Sequence, residues 1–123
     1  MFEQDYILRL IKEMIRAILK LIFNIDTDNP AEVVLEDKES QNTLEKLTDM
    51  VDNGDINGAE NLIYDMTSDR NMTNLEVALL FYSYLNEKDD EFLHEHDFSR
   101  EEIKTGIKDL VLRYGLEGIE EIF

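Results

Sequence analysis

The chain has no cysteine and no tryptophan, one proline, five glycines and only twelve basic residues among 123. Without cysteine there is no disulfide framework, no nucleophilic thiol and no thiolate metal site. One proline and five glycines are too few for a turn-rich all-β protein, and hydrophobic residues at 43% are too many for a disordered chain. Twelve basic against 29 acidic residues leave a net charge of −17. Phosphate backbones are bound by clustered Lys and Arg, so nucleic acid is not an expected partner. No stretch approaches the ~20 apolar residues of a membrane span, and charges interrupt the first helix too often for the ~7–15-residue apolar core of a secretory signal. The expectation is one cytoplasmic all-α domain over residues 1–123, a compact bundle of about five to six helices.

What is present is helical periodicity. Phe2 to Phe23 is an unbroken helical pattern in which Ile7, Leu8, Leu10, Ile11, Met14, Ile15, Ile18, Leu19, Leu21, Ile22 and Phe23 cover an arc of roughly 220°. Arg9, Lys12, Glu13, Arg16 and Lys20 fill the remaining stripe. An arc wider than the ~100° needed for one layer predicts that this helix meets two surfaces. Residues 1–24 carry four basic against three acidic residues, and the remainder eight against twenty-six, so the first helix is the one part that is not acidic.

Further along, Asn29, Pro30 and Glu32 predict a helix starting at Pro30, and the polar stretch Asp37 to Asn42 predicts a break after Val33, Val34 and Leu35. Leu44, Leu47, Met50 and Val51, the turn formers from Asp52 to Gly58, and Ile56, Ala59, Leu62, Ile63 and Met66 predict a helix hairpin. Thr73 with Glu76 reads as a capping box ahead of Leu75 to Asn86, apolar nearly all round and expected at the buried centre. Glu87 to Asp97 predicts a short turn of helix or an ordered loop. Ser99 with Glu102 caps a last long helix with its core face on Ile103, Ile107, Leu110, Val111 and Tyr114, closed by Gly115. Leu116 to Phe123 predicts one more short helix that folds Ile119, Ile122 and Phe123 back on the body.

The hairpin Leu44 to Met66 resembles one tetratricopeptide repeat, with the small Ala59 at the crossing and Ile63 and Met66 at later core positions. Leu47 stands where that repeat has its tight-turn glycine, and Asn71 where it closes on proline. The capping box at Ser99 breaks the ~34-residue phase, so the hairpin predicts a packing unit and not an array. Over nearly the whole chain, MFEQDYILRLIKEMIRAILKLIF, GDINGAENLIYDM, ALLFYSYLN and FSREEIKTGIKDLVLRYG together resemble a small bacterial domain family, mainly Gram-positive, of unknown function and tetratricopeptide-like character. The resemblance implies an all-helical cytoplasmic protein and brings no activity, cofactor or catalytic residue.

Candidate chemistry is sparse. Asn53, Asp55, Asn57 and Gly58 match the opening of an EF-hand calcium loop, but Tyr64 stands where the bidentate acid belongs, so an interhelix turn is expected. His94 and His96, two apart, diverge on a helix, whereas zinc helices use i and i+4. No nucleophile elbow, P-loop or dinucleotide fingerprint is present. No catalytic residue, cofactor or metal is therefore assigned. The expected role is a non-enzymatic interaction module that binds a protein partner or itself through the N-terminal helix, with Phe2, Tyr6, Arg9, Lys12, Arg16 and Lys20 in the contact. One alternative is a small-ligand binder or enzyme with a cleft near Tyr82, His94 and His96. A second is a peripheral membrane helix, disfavoured by the acidic body and the missing tryptophan.

Overall fold

Six α-helices and one 3-10 turn make up the computed structural model, which describes residues 2–116 and the side chains of residues 5–116. They are α1 (Phe2–Phe23), the 3-10 turn Pro30–Glu32, α2 (Lys38–Asp52), α3 (Ile56–Met66), α4 (Met72–Asn86), α5 (Asp90–Glu95) and α6 (Arg100–Arg113). No strand occurs among the described residues. The final short helix expected beyond Leu116 lies outside them.

Helix α4 is the axis of the bundle. It packs against α1, α2 and α6, and α3 folds back on α2. Ten of its fifteen residues are buried, from Leu75 through Asn86, as an all-round apolar sequence requires. Its ends are tied by polar groups that would be costly to leave unpaired. Asn86 donates from Nδ2 to the Leu8 carbonyl of α1 at 3.0 Å, and Asn74 donates to the Met66 carbonyl at the end of α3 at 2.8 Å. Asp52, at the end of α2, accepts from Tyr84 Oη and Lys88 Nζ, each at 2.6 Å, and the Lys88 and Tyr84 hydrogen bonds hold its carboxyl below the usual range.

Arg100 opens α6 and is 1% exposed. Its guanidinium pairs with Asp90 of α5 and donates to the carbonyls of Asn86 and Lys88, so one buried cation satisfies open carbonyls at the end of α4 and fixes α5 and α6 against it.

Two helix starts differ from expectation. The helix predicted from Pro30 stops after one 3-10 turn: Asn29 makes no side-chain cap, and the backbone is already extended at Val33. The extended course buries Leu35, whose N–H donates to Gln41 Oε1 at 3.0 Å, and leaves Val34 in solvent. The expected break over Asp37 to Asn42 therefore falls earlier, because Asp37 accepts from Ser40 N at 3.0 Å and starts α2 in that polar stretch. Likewise α4 is capped by Asn71, which accepts from Asn74 N at 3.0 Å, and Thr73 and Glu76 lie inside the helix. Ser99 and Glu102 do form the predicted capping box. Asn24 and Gly115 follow α1 and α6 in the left-handed conformation, φ 57° and 69°.

Candidate functional site

The buried residues of α1 are Ile7, Ile11, Met14, Ile15, Ile18 and Leu19. At ~100° per residue they span roughly 140°, well short of the full apolar arc. Among the described residues one flank is left incompletely covered: Tyr6 is 65% and Leu21 53% exposed, with Leu10 and Ala17 half-buried between them. These four lie within roughly 60° of one another on the helix, one above the next.

The basic stripe divides. Arg16 is committed to its own chain, donating from Nε to the Thr27 carbonyl at 2.9 Å and pairing with Glu13 at 2.8 Å and Asp28 at 3.1 Å. It holds down the loop after α1 and remains part-exposed. Arg9 and Lys20 are exposed, and Lys12 is half-buried. The side chain of Phe2 lies outside the described residues.

Tyr82, His94 and His96 do not share a site. His94 faces solvent, on the rim of a shallow hollow beside Arg100. The imidazole of His96 is a packing element: its Nδ1 lies 2.8 Å from the Phe92 carbonyl, its ring sits 4.3 Å from that of Phe92, and it presses on Gly54, where a Cβ would fall 2.7 Å away. The calcium-like turn is likewise occupied by folding, since Asp55 accepts from Gly58 N at 3.0 Å and caps α3. Among the described residues no group of three or more His, Cys, Asp or Glu is placed to hold a metal.

Tyr82 instead projects from α4 into a cleft of about 440 Å³ between α3 and α6, lined also by Glu60, Tyr64, Glu102, Asp109 and Arg113. Its hydroxyl donates to Glu60 Oε2 at 2.8 Å. Burial pushes the Glu60 carboxyl up, the Tyr82 hydrogen bond pulls it back, and neighbouring Glu102 pushes it further up. Burial and the adjacent Glu60 hold the Tyr82 phenol far above its ordinary value, so it remains a neutral donor. Arg113 is engaged elsewhere, with Thr67 Oγ1 at 2.6 Å, Asp109 at 2.7 Å and the Tyr64 ring at 4.2 Å.

The sequence names Tyr82 only in the alternative of a cleft shared with His94 and His96, and it does not single out Glu60 or Gly106. The signal for Gly106 was its place in the middle of a helix, where glycine is costly. Leu10 and Leu21 lie within the apolar arc and Ala17 just beside it, and only the packing of α4 and α6 reveals which part of the arc is covered.

No curated protein and no solved structure matches the chain. Residues 1–115 match a family of unknown function (DUF6483), and the chain belongs to that family.

Proposed function

We propose that this protein is a non-enzymatic helical interaction module and that its partner is a second copy, joined through the outer flank of α1. The observation that carries the reading is the apolar row of exposed Tyr6 and Leu21 with half-buried Leu10 and Ala17 between them, beside the buried face Ile7 to Leu19 of the same helix. The row is self-complementary. Tyr6 and Leu21, and Leu10 and Ala17, lie symmetrically about the point between Glu13 and Met14. A two-fold axis there lays Tyr6 on Leu21 of the partner subunit and Leu10 on Ala17 of the partner subunit, large against smaller in each register. Charge favours the same face. Two copies at −17 repel each other, and α1 is the stretch where acidic residues do not dominate.

The hairpin of α2 and α3, with Ala59 fully buried at the crossing, belongs to this reading as a tetratricopeptide-like packing unit that stiffens the bundle behind α1. The assignment to the bacterial cytoplasm rests on the family resemblance. No described helix is long and apolar enough to cross a membrane.

Sedimentation velocity over a concentration series tests the proposal. The expected result is a reversible dimer that tightens as salt screens the mutual repulsion and that the double substitution Tyr6→Ser, Leu21→Ser converts to monomer. A monomer at high micromolar concentration in both low and moderate salt, unchanged by deletion of residues 1–6, would sink it. Flotation of the intact protein with anionic liposomes would transfer the same flank to a lipid surface.

A further inference from the structure

Two departures from ordinary folding economy meet in the cleft between α3 and α6. Gly106 stands in the middle of α6, where glycine weakens a helix, yet a Cβ there would fall 2.4 Å from Tyr82 Oη. The glycine is what lets the tyrosine pass beside α6 and reach the cleft. The hydroxyl then ends on Glu60, a half-buried carboxylate that forms no ion pair among the described residues. Arg113, the one cation lining the cleft among the described residues, is held by Asp109, Thr67 and the Tyr64 ring. A protein stabilised only by packing would have an alanine at 106 and an apolar or amide side chain at 60. Such costs concentrate where a site is being built.

We propose that this cleft binds a small organic primary ammonium ion, with Glu60 as its counter-ion. The volume, about 440 Å³, suits a small molecule. Tyr82 binds Oε2 of Glu60 and orients the carboxylate, and Oε1 accepts from no group among the described residues. The Asn61 and Thr105 side chains on the cleft wall supply further acceptors for an ammonium with three N–H donors. Tyr64, 62% exposed at the lip, offers an aromatic surface for an apolar stem. A bare divalent cation is a poor fit, since no three carboxylates or imidazoles among the described residues converge. This site is separate from the α1 flank and stands or falls independently of it.

The test is an NMR titration of the full chain with n-butylammonium chloride, with n-butanol as the uncharged comparison. Saturable shifts of the Asn61, Thr105 and Gly106 amides are expected, weakened roughly tenfold or more in Glu60→Gln and unchanged in Glu95→Gln, a surface acid on α5. Glu60→Gln should fold at least as well as the parent. Because burial raises the folded-state pKa of Glu60 above its ordinary 4.5, its contribution to stability is full below that pH and is lost as pH rises through the folded value. Glu60→Gln should therefore raise Tm at pH 7, and the gain should vanish in acid. No saturation, or equal weakening in Glu60→Gln and Glu95→Gln, would mean that the amine reads only the bulk negative field and would overturn the proposal.

Discussion

Helices α1 and α4 are both apolar over far more than one face, but only α4 is covered to the same extent. Neighbours α1, α2 and α6 surround α4, and of its large apolar residues only Met72, at its first position, is exposed. Helix α1 has α4, α6 and the 3-10 turn against it, and among the described residues that leaves Tyr6 and Leu21 in solvent with Leu10 and Ala17 half-buried between them. The same sequence signal, an over-wide apolar arc, thus has two physical outcomes. In α4 it marks the centre of the bundle. In α1 it marks a helix that serves the bundle with one part of its arc and is left with the other.

The contrast predicts a gradient of mutational cost. The largest effect belongs to the axis: Leu79→Ala, at a site with no exposed surface, should destabilise by about 4 kcal/mol in urea unfolding, because three neighbouring helices cannot all collapse into the void. If the loss is below about 1 kcal/mol, α4 is not packed all round and the comparison fails.

Two arginines carry the same contrast into the polar structure. Arg100→Ala should cost about 3 kcal/mol, since it strips the Asn86 and Lys88 carbonyls of their donor inside the protein and leaves a cavity. Arg16→Ala at the end of α1 should cost under about 1 kcal/mol. Its partners Glu13 and Asp28 are well exposed and are resolvated at once. Paired urea melts decide whether the two differ in that order. Equal losses would mean that the loop after α1 is as integral as the junction of α4, α5 and α6.

Much of this organisation is legible in the residues. All-round hydrophobicity identifies α4, and Ser99 with Glu102 locates the start of α6 to the residue, because capping chemistry is local. The failures share one cause. Asn29-Pro30 is as good a local start as any, but the burial of Leu35 pulls the chain into an extended course, and no local rule contains that tertiary gain. Thr73 and Asn71 are both competent caps two residues apart, and Asn71 prevails where Asn74 also reaches the Met66 carbonyl of the preceding helix. In the candidate sites the periodicity finds α1 but not which flank is free, since that depends on where α4 and α6 lie. Tyr82 looks like core by its spacing, and only the opening at Gly106 turns its hydroxyl toward a cleft.

The smallest effect on stability is the most informative about function. Tyr6→Ser with Leu21→Ser removes two large apolar side chains that the fold leaves in water, so the stability of the monomer should change by no more than about 0.5 kcal/mol. The equivalent chemical change on the buried side, Ile11→Ser with Ile18→Ser, should prevent folding, because both sites are closed to solvent and neither hydroxyl has a partner nearby except its own helix backbone. Between these extremes the flank is distinguishable from surplus hydrophobicity only by association. If the first pair leaves stability unchanged and abolishes the dimer, the uncovered arc of α1 exists for a partner. If it leaves both unchanged, the row is exposed without use, and the difference between α1 and α4 reduces to how many neighbours each helix has.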